Sequence, residues 1–241
     1  MADRHVILKQ CVHEIVEREG WSCTFMAKYS NDYSGSSCHI HNSLWEKQDK
    51  YNSLFRDPAD KEYGMSKLMR HWLAGQMHYA REYTYFLAPY INSYKRFVTG
   101  SWAPTRVAWA PDNRTTAFRV CGVGPKQGPD ALRVECRIGG ADLNPYLAFA
   151  ALIAAGLAGI EEELELPPAC NGNAYTLPDG EVPEVPKTLR EAIQTLKGSE
   201  MLKRALGEEV LEHYVTVAEW EQAEFDKRVT DWELERGFDR A

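Results

Sequence analysis

Two short stretches hold residue types suited to acid–base and phosphate chemistry. One is H-I-H at 39–41, behind a run of Gly and Ser; the other is R-V-E-C-R at 133–137. On a strand, side chains alternate between faces. Arg133, Glu135 and Arg137 therefore share one face, with Val134 and Cys136 on the other. Charges on a core-like strand are costly unless paired or ligand-bound. A salt-bridge ladder on an exposed sheet face accounts for the pattern as well as a site does. His39 and His41 also share a face if extended, about 6.5–7 Å apart. That spacing suits one metal ligand and one neighbour touching a second group, such as a phosphate, or simply two polar strand residues.

Convergence strengthens the case. Arg96, Arg114 and Arg119 add to Arg133 and Arg137, all near expected strand ends or turns. Guanidinium groups fork onto phosphate and carboxylate oxygens. A divalent cation bridging phosphates takes carboxylates and an occasional imidazole. One Glu, two His and five Arg fit a site for a metal and a polyphosphate.

Stepping out to the elements, Asp3 opens a helix whose apolar face is Leu8, Cys11, Val12, Ile15 and Val16, ending near Gly20. WSCTFMAKY (21–29) reads as a strand, and so does HIHNSLW (39–45), after a Gly/Ser/Asn/Asp loop. A helix from Leu68 runs to Ala88 and stops at Pro89. RVAWA (106–110) and TAFRV (116–120) read as a hairpin around Pro-Asp-Asn-Arg, and LRVECRI (132–138) as a third strand. Asn144-Pro145 is an N-cap with Pro at the first helical position; the helix beyond it is apolar nearly all round, which predicts deep packing. Residues 167–186 carry five prolines and form a surface loop. Thr188 and Glu191 make a capping box, with helix to about Val229. The expected fold is one α+β domain, sheet-rich to 138 and helical after it.

Composition narrows the partners. The 241 residues carry a formal net charge of −7 and 44% hydrophobic residues. A sizeable core is available, and neither a nucleic-acid nor an anionic-membrane surface is expected. The Tyr146–Ile160 run is shorter than the roughly 20 residues of a membrane helix. Six cysteines without a CxxC pair, and no signal-peptide layout at the start, predict reduced thiols and a cytoplasmic protein.

Three blocks together resemble the catalytic domain of glutamine synthetase: FMAKYSNDYSGSSCHIHNSLW (25–45), NSYKRFVTGSWAPTRVAWAPDNRTTAFRV (92–120) and RVECRIGGADLNPYLAFAALIAAGLAGI (133–160). They occur in the family's order, and the helical tail fits as well. The resemblance implies an antiparallel curled β-sheet flanked by helices. It also implies ATP-dependent ligation of the glutamate side-chain carboxylate to ammonia or an amine through a γ-glutamyl phosphate. A carboxylate is a poor electrophile, so such a site must spread negative charge over cations during phosphoryl transfer.

By resemblance, His39 and Glu135 hold Mg²⁺ or Mn²⁺, and His41 approaches the nucleotide phosphates. Gly35 belongs to the glutamate loop. Arg96 and Arg137 take the substrate carboxylate and the developing acyl phosphate. Arg114, Arg119 and Arg133 face ATP phosphates, with Arg119 and Arg137 the catalytic pair. Two positions depart from the family pattern. Trp102, in GSWAP, stands where ammonium-using members place a glutamate on a flap; its face can hold an amine cation by cation–π contact, or it can be flap packing. Ser34 stands where Asn is common. These departures resemble the branch of γ-glutamyl ligases using larger amines.

Within the family, the resemblance covers the C-terminal part of the catalytic domain. The N-terminal β-grasp domain and the acidic segment for the other metal lie outside these 241 residues. Family members are oligomers, so a homo-oligomer is implied for a full-length chain. Two other readings stay open: a catalytically incompetent fragment that keeps nucleotide binding, and a piece that pairs with a separate N-terminal half.

Overall fold

The computed structural model describes residues 1–49, 51–124, 128 and 131–240. Among these, the helices are α1 (Ala2–Arg18), α2 (Lys67–His78), α3 (Ala80–Leu87), α4 (Ile91–Tyr94), α5 (Pro145–Glu161), α6 (Leu189–Lys197), α7 (Glu200–Leu206), α8 (Glu208–Asp226) and α9 (Asp231–Arg240). The strands are β1 (Ile40–Asn42), β2 (Trp109–Pro111), β3 (Phe118–Cys121) and β4 (Arg133–Cys136), in the sheet order β1-β4-β3-β2. The α+β class is as expected, and β4 pairs antiparallel with both β1 and β3.

The expected 106–120 hairpin is a parallel pair instead. Trp109 lies opposite Phe118, and Pro111 opposite Val120. Pro111 has no N–H to give to a hairpin ladder. Asp112 then turns the chain at φ +47°. The Asn113 side chain accepts from Thr115 N–H (2.9 Å) and its hydroxyl (2.7 Å). The chain thus doubles back before β3 starts level with Trp109.

Residues 21–29 are not a strand. Their backbone groups find partners elsewhere. Lys28 N–H donates to Asn92 Oδ1 (2.9 Å), Lys28 C=O accepts from Asn92 Nδ2 (2.6 Å), and Ala27 C=O accepts from Ser36 N–H (2.8 Å). The first helix forms as expected, but Leu8 and Ile15 on its apolar face are largely exposed and it buries no residue. The expected 68–88 helix is divided at Tyr79 into α2 and α3, and the 188–229 stretch into α6, α7 and α8. Asn144 caps α5 as read, its side chain accepting from Tyr146 N–H. Burial of α5 is one-sided, with Ile153, Leu157 and Tyr146 exposed. None of the described helices is long and apolar enough to cross a membrane.

The core joins the sheet to α2, α3 and α5. Trp72, Phe86, Trp109, Phe118, Ile138 and Leu143 are among its large, fully buried members. Helices α2 and α5 meet through glycine. A Cβ on Gly159 would lie 2.2 Å from His71 O and 2.5 Å from Gly75 Cα, and one on Gly156 would lie 2.5 Å from the Trp72 ring. No side chain fits there without moving the helices apart. Gly159→Ala is expected to destabilise the fold by about 3 kcal/mol, read as a lower urea midpoint at unchanged slope.

Candidate active site

The ladder register assembles the site. Glu135 on β4 lies opposite His41 on β1 and opposite Arg119 on β3. Paired residues point to the same side of a sheet, so one row carries imidazole, carboxylate and guanidinium side by side. His39 enters from the segment leading into β1, and Arg137 follows β4 directly. Glu135 Oε1 lies 2.9 Å from His39 Nδ1, 3.0 Å from Arg137 Nη1 and 3.8 Å from His41 Nε2. Oε2 accepts from Arg119 Nη1 at 3.0 Å. The two residues expected to share a cation, about a hundred positions apart in the chain, are thus in contact.

Glu135 is only 3% exposed. Burial by itself raises its carboxyl pKa. The hydrogen bonds from His39 and Arg119 and the Arg137 charge outweigh that and hold it far below the usual carboxylate range. The R-V-E-C-R charges are therefore not an exposed ladder: Glu135 and Arg137 are buried and only Arg133 reaches partly into solvent. Arg133 Nε donates to His41 Nδ1 at 3.0 Å, which leaves the His41 Nε2–H facing the Glu135 carboxylate. Burial pushes the His41 imidazole down; Glu135 opposes this, while Arg133, His39 and Arg119 add to it. A neutral His41 beside two guanidiniums, Arg133 and Arg119, is what that environment favours.

The other expected residues lie farther out. Arg96 is buried, with its Nη2 donating to Ile138 C=O and its Nε unpartnered among the described residues. Burial lowers the Arg96 pKa to about 10, with Asp142 opposing and Arg137 reinforcing the shift. Gly35 backs directly onto Arg96: a Cβ there would sit 2.7 Å from Arg96 Cγ and 2.5 Å from Ala27 O. Any side chain would push the loop off the arginine. Trp102 is 63% exposed and holds φ +63°, rare for a bulky residue. Its carbonyl accepts from Arg137 Nη2 at 3.3 Å. Arg114 sits exposed on the 112–117 loop and is not brought against Glu135; among the described residues it has no ion-pair partner. Exposed Ser34 precedes Gly35.

Two residues here were missed. Asp112 was read only as a turn residue, yet it accepts from Arg119 Nη2 at 2.8 Å and orients that guanidinium. Its place at the end of β2 was the available signal. Tyr175, in the proline-rich loop, donates to Ala103 C=O at 2.9 Å beside Trp102; nothing in the sequence marks it.

Glu135 is the oxygen donor a hard divalent ion takes, and His39 adds a borderline imidazole nitrogen beside it. Among the described residues, however, no group of three His, Cys, Asp or Glu side chains is placed to hold one. The chain thus offers two ligands of the right chemistry and not a closed site. All six cysteines are free, and Cys121 Sγ lies 3.8 Å from Glu135 Oε2.

Because the folded-state pKa of Glu135 lies below its unfolded value, its ion pairs contribute stability that is fully present above the ordinary carboxylate range. That contribution is lost as pH falls through and below it. Replacing the carboxylate also leaves buried Arg137 short of its charge partner, at a cost of about 3 kcal/mol. Glu135→Gln should be less stable than the parent by a constant margin above about pH 5, and the margin should shrink steadily below that. Urea unfolding of both proteins between pH 7 and pH 3 reads it.

Residues 1–237 match the family model described as "Glutamine synthetase, catalytic domain". The chain is 50% identical over 238 residues to γ-glutamylethanolamide synthetase GlnA4 of Streptomyces coelicolor, covering 99% of this chain and 48% of that protein. It is 37% identical to glutamate–isopropylamine ligase of a Pseudomonas species (99% and 50% covered) and 36% identical to glutamine synthetase of Thermotoga maritima (98% and 53%). Among solved structures, a GmaS/ADP complex superposes with a TM-score of 0.86 at 32% identity, over 99% of this chain and 54% of that one. The chain spans about half the length of the curated relatives it matches. With the family model matched over residues 1–237 and the superposition on a solved relative in agreement, the chain belongs to the glutamine synthetase catalytic-domain family.

Proposed function

We propose that this chain is the C-terminal part of the catalytic domain of an ATP-dependent ligase joining the glutamate side-chain carboxylate to an amine. The observation that carries the reading is the convergence of His39, Arg119 and Arg137 on the buried Glu135 carboxylate. Relatives named γ-glutamylethanolamide synthetase and glutamate–isopropylamine ligase support an amine larger than ammonia, and a relative solved with ADP supports a nucleotide co-substrate.

In this reading the guanidiniums do the electrostatic part of phosphoryl transfer. Arg119 is oriented by Asp112 and Glu135, and Arg137 by Glu135 and the Trp102 carbonyl. Both are therefore pre-aimed, which lowers the cost of meeting charge that develops on a transferring phosphoryl group. Arg133 and His41 hold each other and face nucleotide phosphates, with Arg114 reaching them from its exposed loop. Arg96, in a wall shared with Gly35, takes the carboxylate of glutamate. His39 and Glu135 would be ligands to Mg²⁺ or Mn²⁺, which supplies Lewis-acid neutralisation of phosphoryl oxygens when bound. The remaining ligands come from outside this donor pair. Trp102 presents its ring to the amine; an indole attracts an alkylammonium by its face without accepting a proton. The protein works as a homo-oligomer in the cytoplasm.

The test is ATP- and Mg²⁺-dependent phosphate release with glutamate and a panel of amines. The preparation supplies the half of the relatives that this chain does not span. Turnover is expected with ethanolamine or an alkylamine above that with ammonium, and no release with any amine would remove the reading. Arg119→Ala should lower kcat by 10²–10³, the scale of losing one preorganised charge donor. Trp102→Glu should shift preference from the larger amine toward ammonium by about tenfold, the scale of one cation–aromatic contact.

A further inference from the structure

Tyr175 stands outside every role assigned above, yet it touches the segment that carries Trp102. It lies in a single 3₁₀ turn, Ala174–Thr176, within the proline-rich loop. That turn is fastened to the 112–117 loop. Ala174 N–H donates to Thr115 Oγ1 (2.9 Å), and Asn113 Nδ2 donates to Gly172 C=O (2.6 Å). Asn173 caps the turn through Tyr175 N–H (3.0 Å). From this anchor the Tyr175 hydroxyl donates to Ala103 C=O at 2.9 Å.

Trp102 needs such a restraint. Its φ of +63° is one bulky side chains seldom adopt, and such conformations persist only when the surroundings over-determine them. Two consecutive carbonyls are held: Trp102 by Arg137 at 3.3 Å, and Ala103 by Tyr175. Pro104 stiffens the next step, since a residue before proline is confined to extended conformations. The Arg137 bond is the longer one, and Arg137 also serves Glu135. Burial raises the Tyr175 phenol pKa, with Arg137 opposing first and Arg96 also opposing, so the hydroxyl stays protonated and a donor at neutral pH.

We propose that Tyr175 is a positioning residue: through Ala103 C=O it fixes the strained Trp102 backbone beside Arg137, and so sets where the amine-facing indole stands. This rests on the ligase reading for its substrate, but the tether itself does not. In Tyr175→Phe, which keeps the ring and removes only the donor, amide hydrogen exchange across residues 99–104 is expected to quicken about fivefold, the scale of one hydrogen bond. Exchange in α5 should be unchanged. With the complete enzyme, KM for the amine should rise about fivefold while KM for ATP moves less than twofold. Unchanged exchange at 99–104 would overturn the proposal. So would exchange quickened equally in α5, which would mean general loosening, or quickened exchange with an unaltered amine KM. If no amine supports turnover, the ligase reading falls, and the exchange measurement still decides whether Tyr175 holds the segment.

Discussion

A buried carboxylate at the centre of a small sheet is the constraint on which the rest of this structure depends. Glu135 is nearly inaccessible and stays ionised because His39, Arg119 and Arg137 surround it. An isolated charge in that position would cost several kcal/mol. The partners are also more than neutralising. Arg119, Arg133 and Arg137 outnumber Glu135 and Asp112 by three to two. A recessed cluster with surplus positive charge draws anions. The same carboxylate that anchors the arginines is thus what lets them be crowded together, facing a ligand rather than one another.

Holding that row in place is the work of the helices behind it. Asn42, next to His41, is the link. Its amide donates to Val134 C=O on β4, and its oxygen accepts from Trp72 Nε1 (2.7 Å) and Gln76 Nε2 (3.2 Å) on α2. Trp72 in turn lies flat against Gly156 of α5, and Gly75 against Gly159. Close helix contact through glycine leaves little room for sliding, because packed interiors resist small volume changes. The position of His41 is therefore tied through Asn42 to the tightest helix crossing in the fold.

How much of this was legible depended on whether the signal was local. The two-residue alternation of Arg133, Glu135 and Arg137 settled which side chains share a face, because pleat geometry leaves no other choice. Asn144-Pro145 likewise announced α5, since cap chemistry lies within four residues of what it caps. The resemblance of three separated blocks supplied the long-range pairing of His39 with Glu135 that no periodicity could. Failures arose where partners were distant. Residues 21–29 look like a strand, but Asn92 and Ser36 satisfy their backbone in place of a ladder. The 106–120 hairpin failed because Pro111 and the Asp112 turn return the chain to a parallel register. The apolar face of α1 and the Asn144-Pro145 start of α5 correctly predicted helices, but Leu8 and Ile15 stay exposed, and the deep packing expected of the all-round apolar α5 is not found, since Ile153 and Leu157 are exposed. Tyr175 was invisible because a lone tyrosine among prolines has no pattern until the loop folds against Ala103.

The segment around Trp102 separates two functions that are usually entangled. What positions Arg137 there is a backbone carbonyl, which every amino acid possesses. What faces solvent is the indole, more than half exposed and free of that duty. The contact with Arg137 therefore does not depend on which side chain stands at this position, provided the backbone keeps its φ of +63°. Relatives named glutamine synthetase, γ-glutamylethanolamide synthetase and glutamate–isopropylamine ligase are 36–50% identical to this chain. In the proposed ligase reading, charge placement carried by the main chain and acceptor choice carried by one exposed side chain would supply a physical route to such variety. Specificity is a difference between binding energies; here it can be altered at the rim while the buried carboxylate and its arginines stay as they are.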